Sequence, residues 1–184
     1  MFDQIIEKLK QDNPNWIQIH SFISERQIPV KTTLLKEGEI STHVHYIKKG
    51  CLREWFNKDG KEITFQFFFE GQFVASIDSF LNNQPSLYTI ESIEPSLIYT
   101  INKKCFEQIY QSNPQFKEEF QKLIFNRFRN YANLFLSRIK DSPRERYEDL
   151  ILNHPEIIKR IPQHYIASYL GITPISLSRI RNKK

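Results

Sequence analysis

Residues 163–182 read QHYIASYLGITPISLSRIRN. Counted from Gln163, apolar side chains fall at places four, eight, ten, fifteen and eighteen: Ile166, Leu170, Ile172, Leu177 and Ile180. Two short helices that share one apolar seam give that spacing. Ala167 is small where two helices would cross closely, and Gly171 stands where the chain must turn with positive φ. Thr173 is placed to accept a bond from a free backbone N–H as N-cap, and Pro174 occupies the first helical position, where a missing N–H costs nothing. The pattern predicts a helix-turn-helix, whose second helix enters the major groove. Charge agrees with it: from Gln163 to Lys184 there are four basic residues, Arg179, Arg181, Lys183 and Lys184, and no acidic one. An ordinary αα-hairpin with a solvated basic tail would not need five apolar residues, an alanine, a glycine and a cap in register.

Working outward, the formal charge of +5 is unevenly spread over the 184 residues. Residues 1–139 carry 17 basic and 16 acidic side chains, net +1, whereas residues 140–184 carry 9 and 5, net +4, so the partner-seeking basic surface is C-terminal. Hydrophobic residues make up 40% and no apolar run approaches the roughly 18 residues a membrane span requires. The N-terminal MFDQIIEKLK carries acids and lacks a long apolar core, unlike a signal peptide, which places the chain in the cytoplasm. Cys51 and Cys105 are far apart with no CxxC spacing, so neither a disulfide framework nor a metal site is expected.

Phe2, Ile5, Ile6 and Leu9 recur at helical spacing and predict a helix over residues 2–11 that packs on the domain behind it rather than on a membrane. From about Lys31 to Asn102 the pattern becomes short β runs: Thr32–Leu35, Val44–Lys48, Leu52–Phe56, Glu62–Phe69, Phe73–Ala75, Tyr88–Ser92 and Leu97–Ile101. In Glu62–Phe69, Ile63, Phe65 and Phe67 alternate with Thr64 and Gln66, putting apolar and polar sets on opposite faces. Many short strands without long helices between them mean an antiparallel sandwich, jelly roll or β-roll. Helices resume at Lys103–Tyr110 and, after Pro114, run to about Lys140. In that long helix Ile124, Phe128, Tyr131 and Phe135 form a heptad seam flanked by Leu123, Leu134 and Ile139, more apolar surface than one small neighbour covers. It is expected to pair with its copy in a homodimer. Asp141-Ser142-Pro143 breaks the helix and serves as hinge; Arg144–Asn153 is a further helix, and a short turn through Ile161 leads to the helix-turn-helix. The expected division is 1–113, 114–140 and 141–184.

This order of elements resembles the Crp/Fnr family of bacterial transcription regulators, over about Lys31 to Lys184. Tyr46-Ile47-Lys48-Lys49-Gly50 looks like the family's strand-and-glycine turn, Gly71-Gln72-Phe73-Val74 like its second glycine turn, and IASYLGITPISLSRI like its DNA-reading module. The wording GITP-x-SLSRIR is closest to a branch common in Bacteroidetes. The resemblance implies an α+β fold: a cyclic-nucleotide-binding-like β-roll as sensor, a long dimerisation helix, and a C-terminal helix-turn-helix that reads a palindromic operator in double-stranded DNA, with RNA polymerase as a further partner. The chain reaches Lys184 soon after the second helix, so the wing that follows in many relatives is expected to be absent.

The departures shape the functional expectation. Where members that bind cyclic AMP carry a ribose-holding glutamate and a phosphate-holding arginine and serine, this chain has Ala75-Ser76-Ile77 and Ser86-Leu87, with Asp78 nearby. Holding a phosphate in a partly buried pocket without a cation costs on the order of several kcal/mol. Weak or no cyclic AMP binding is therefore expected, with Gln84, Ser86 and nearby N–H groups left to hold a different, less charged effector. Two isolated cysteines do not supply the four thiolates of an iron–sulfur cluster, so no cofactor is expected. In the second helix Pro174 and Ile175 stand where the family often has an arginine and a base-reading glutamate, while Arg179 matches a recurrent arginine suited to guanine O6 and N7. Thr173, Ser176 and Ser178 are short polar side chains within reach of phosphates or bases; Arg181, Lys183 and Lys184 suit phosphate. Two other readings stand beside this one. His43-Val44-His45 faintly resembles a cupin metal site, but Lys48 and Lys49 stand where a carboxylate would be wanted. A ligand-sensing or protein-interaction module without specific DNA reading is opposed by the acid-free basic end. No arrangement for catalysis is visible, and an enzyme is not expected.

Overall fold

The computed structural model describes residues 23–182. The helix expected over residues 2–11, and Lys183 and Lys184, lie outside them. The described strands are β1 (Ile23–Ile28), β2 (Thr33–Leu35), β3 (His43–Lys49), β4 (Leu52–Lys58), β5 (Lys61–Phe68), β6 (Phe73–Val74), β7 (Thr89–Ser92) and β8 (Ser96–Asn102). The helices are α1 (Ile77–Asn82), α2 (Lys103–Ser112), α3 (Pro114–Lys140), α4 (Pro143–Asn153), α5 (Pro155–Arg160), α6 (Gln163–Leu170) and α7 (Pro174–Asn182). They fall into two compact units, one containing the chain up to Phe56 with Phe67–Glu118, the other Asn57–Gln66 with Glu119–Lys184.

The strands make two four-stranded sheets, ordered β1-β8-β3-β6 and β2-β7-β4-β5. Pairing is antiparallel from β1 to β8, β8 to β3, β3 to β6, β2 to β7 and β7 to β4. One apolar residue from each strand meets in the core of the first unit: Ile28, Leu35, Ile47, Leu52, Phe68, Val74, Ile90 and Ile98. Such inward residues hold two sheets face to face. The turn between β3 and β4 depends on Gly50, whose φ is +108°; a Cβ there would lie 2.7 Å from the Ser96 Cα, so no side chain fits. A second cluster is aromatic. Phe80 of α1 meets Phe106 of α2 edge-on at 5.4 Å, and Phe106 meets Phe116 at 5.7 Å, which pins α1 to the helices behind it.

The second unit has its own small core. Tyr147 and Leu150 of α4, Ile157 of α5, Ile161, Tyr165, Ile166 and Leu170 of α6, and Leu177 of α7 are all buried. Two arginines secure the C-terminal end of α6: Arg138 Nη2 donates to the Tyr169 carbonyl at 2.7 Å and Arg146 Nη2 to the Leu170 carbonyl at 3.0 Å. Positive charge is favourable there, where the last carbonyls of a helix lack partners. Ser168 ties the hairpin to the same helix, accepting the Thr64 N–H at 2.9 Å and donating to the Glu62 carbonyl at 2.8 Å.

The structure corrects several local expectations. β1 precedes the predicted start of the β region; its sequence ISERQI shows no alternation because it lies at a sheet edge with four of six residues exposed. Ile77–Asn82, for which no element is expected from the sequence, is helix α1, and the turn before Ile161 contains helix α5. The alternation in β5 does not sort buried from exposed, since Thr64 is fully buried while Ile63 and Phe65 are only half-buried. Asp141-Ser142-Pro143 does end α3, but it also starts α4. Ser142 Oγ accepts the Glu145 N–H and Glu145 Oε2 accepts the Ser142 N–H, a capping box with Pro143 at the first position. The Ser142 side chain and then the Ser142 backbone N–H, both bonded to the Glu145 carboxyl, hold it below the usual carboxylate range.

Candidate effector pocket and nucleic-acid interface

In the first unit the chain approaches the expected pocket through a tight turn. Gly71 N–H donates to the Ile47 carbonyl at 2.9 Å and Gln72 Oε1 accepts the Phe69 N–H at 3.0 Å, so β6 is delivered beside His45 and Tyr46. Ala75 and Ser76 follow, both buried, with Ser76 at the N-cap position of α1. Its side chain caps nothing. Instead the Ser76 and Ser86 hydroxyls are hydrogen-bonded at 3.0 Å, and Ser86 Oγ also bonds the Tyr88 carbonyl at 2.7 Å. Ser79 accepts the Ser41 N–H at 2.8 Å, and Lys103 Nζ closes the other end of α1 on the Phe80 carbonyl at 2.6 Å. Ala75, Ser76 and Ser86 are thus brought together in a buried, mutually satisfied polar patch. Gln84 and Leu87 are not part of it; both are exposed, Leu87 to 77%.

Sequence reasoning missed the charged pair in the same unit. Arg53 of β4 donates through Nη2 and Nε to Glu91 Oε1 of β7 at 2.8 and 3.1 Å, and its guanidinium lies 4.9 Å from the Trp55 ring centre. Both residues are buried. The available signal was a charged side chain in a strand with strands on both sides, which demands a partner.

The His43-Val44-His45 pair does share one strand, but with different fates. His45 is buried, its Nδ1 3.1 Å from the Thr100 hydroxyl, and burial, with smaller contributions from His43 and Arg26, pushes its pKa down to about 3. His43 is exposed and its Nδ1 bonds the Thr42 hydroxyl at 2.8 Å. Among the described residues no group of three or more His, Cys, Asp or Glu side chains could hold a metal ion. Cys51 and Cys105 are both buried, and burial raises the Cys105 thiol to about 11.

In the second unit α6 and α7 meet at Gly171, which adopts φ 70° and ψ 32°. The Ile172 N–H donates to the Ala167 carbonyl at 2.9 Å and the Gly171 N–H to Ser168 at 3.0 Å, the paired bonds of a Schellman stop. Two residues later Thr173 Oγ1 accepts the Ser176 N–H at 3.1 Å and starts α7. Ala167 is fully buried where the helices cross, as are Ile166, Leu170 and Leu177, while Ile172 and Ile180 are half-buried. The outward side of α7 carries Ile175, Ser178, Arg179 and Asn182, all exposed and spaced by three, one and three residues, which is one helical stripe. Arg181 is exposed beside it. Thr173 and Ser176 are engaged with each other, their hydroxyls 3.0 Å apart, and Ser176 is half-buried. On α3, Phe128 and Phe135 are exposed to 70% and 65%, with Phe125, Leu136 and Ile139 also exposed. Ile124 and Tyr131 are half-buried, Tyr131 lying 6.4 Å from Phe65.

Residues 25–113 match the family model of the cyclic nucleotide-binding domain. A structure of a regulator of the crp/fnr family from Eubacterium rectale superposes on 94% of this chain and 83% of its own, with a TM-score of 0.72 at 18% identity. Residues 25–113 thus resemble the cyclic nucleotide-binding domain, and the fold of the chain is shared with that regulator. FixK2 from Bradyrhizobium japonicum shares the fold at a TM-score of 0.74 and 16% identity, over 88% of this chain and 83% of that one. Among curated proteins, the cAMP-activated global transcriptional regulator CRP of Pasteurella multocida is 28% identical over 116 residues, covering 62% of this chain and 54% of that protein. The chain spans about half the length of that relative. No described helix is long and apolar enough to cross a membrane.

Proposed function

We propose that this protein is a homodimeric, sequence-specific DNA-binding transcription regulator of the Crp/Fnr type whose sensor domain does not use cyclic AMP. The observation that carries the reading is the outward stripe of α7. A capped second helix of a helix-turn-helix presents Ser178, Arg179 and Asn182 to solvent, in a segment that contains no acidic residue. Such a face suits a polyanion and offers donors for base edges. Arg179 supplies the bidentate contact to guanine, Arg181 and Lys183 meet phosphates, and Thr173 and Ser176 hold the start of the helix.

Dimerisation runs through α3. Phe128 and Phe135 stand exposed on a helix of 27 residues, a face that a second copy of the same helix covers. Domain bounds of 1–113, 114–140 and 141–184 fit this division of labour, with the cytoplasm as the site of action and RNA polymerase as a further partner. The sensor unit has no catalytic role in this reading, and a small, weakly charged effector binds at Ser76 and Ser86 by displacing the bond between their hydroxyls. Duplexes selected from a random pool by the purified protein test it. Arg179→Ala should weaken binding to the selected duplex by about 1 to 3 kcal/mol and relax specificity at one guanine per half-site; unchanged binding would remove Arg179 from the interface.

A further inference from the structure

Ile175 is 66% exposed on the first turn of α7, an aliphatic side chain left largely in water while Leu177, two residues on, is 1% exposed in the core. A solitary exposed isoleucine on an ordinary surface needs no explanation. This one stands in line with Ser178, Arg179 and Asn182 on the only side of the helix turned away from the unit's core. Its neighbours in the first turn are poorly placed to take its part at a base edge: Pro174 has no donor, and Thr173 and Ser176 are bonded to each other at the helix start. In the major groove the feature that an aliphatic group recognises is the C5-methyl of thymine, which none of the other three standard bases displays. The leading turn of a recognition helix lies deepest among the bases.

We infer that Ile175 is a specificity-determining residue that selects thymine in each half-site through contact with its methyl group. The inference rests on α7 being the DNA-reading helix. Four residues of helix rise separate Ile175 from Arg179, about 6 Å, so the thymine falls within about two base pairs of the guanine that Arg179 meets. The stripe then reads an apolar group and a guanine edge in fixed register, and a glutamate-bearing relative, which accepts a bond from cytosine N4, would prefer a different half-site.

Replacing thymine by deoxyuridine at each position of the selected duplex removes the methyl and leaves base pairing intact. The protein should lose about fourfold in affinity at one thymine per half-site, within two base pairs of the guanine lost with Arg179→Ala. Ile175→Ala should bind the thymine and deoxyuridine duplexes equally, and Ile175→Val should restore the difference. Sequence-specific binding that is indifferent to deoxyuridine at every position would overturn the assignment of Ile175 while leaving the DNA-binding reading intact. Failure to select any sequence from the pool would overturn both.

Discussion

His45 lies on β3 with Thr100 as its partner, shut off from water and beside His43 and Arg26. In the folded chain it stays neutral down to about pH 3, whereas unfolded it takes up a proton near its ordinary value of 6.5. Between these values the unfolded state binds more protons, so stability falls as pH falls, by at most about 1.4 kcal/mol per pH unit. Urea denaturation at pH 7 and pH 5.5 should show a loss of about 1 kcal/mol for the natural chain beyond that for His45→Gln, whose amide keeps a bond to Thr100 without titrating. Equal losses would mean that His45 is reached by water. Ser76 and Ser86 make the other residue-level case. Bonded to each other at 3.0 Å, they offer a cyclic phosphate neither a cation nor a free donor pair, and opening them would cost about 1 kcal/mol before any ligand contact formed. Calorimetric titration with cyclic AMP should give no heat of binding at micromolar ligand. A micromolar dissociation constant would contradict the reading of this pocket.

At the scale of elements, the proposed assembly turns on α3. Its exposed aromatic residues lie at the spacing that a facing helix fills, and Phe128→Asp with Phe135→Asp places two carboxylates in that seam. Sedimentation velocity should show a dimer for the natural chain and a monomer for the double variant, with DNA affinity falling in parallel; a natural chain that sediments as a monomer would refute the seam. The same helix shows what the sequence made legible. Pro114 and the Asp141-Ser142-Pro143 break are local signals, and α3 runs between them. Gly171 and Thr173 likewise act on their own neighbours, so the start and stop of α6 and α7 could be read directly. β1 could not, because an edge strand gains its hydrogen bonds from β8, some seventy residues away, and needs no apolar alternation. α1 escaped for a related reason. Six residues are too few for a helical period, and its place is fixed by Phe80 against Phe106 and by Lys103 at its end. The Ser76–Ser86 bond and the Arg53–Glu91 pair were illegible because each joins segments whose approach only the fold determines.

For the whole molecule, the first unit contains a complete eight-strand core and the second its own helical core, each closed by residues local to it. In the proposed reading the two functions divide along the same line, sensing in the first and DNA reading in the second, with α3 as the element that two copies of the chain would share. In the proposed dimer two α7 helices would meet half-sites about one helical turn, roughly 34 Å, apart. The most direct test is capture of fragments of the protein's own genome by the purified chain at two salt concentrations, read by sequencing. The account predicts a palindromic site, retained at the higher salt, with half-sites one turn apart and recovered without added effector. Only sequence-blind recovery that vanishes with salt would contradict it, since phosphate contacts alone behave that way.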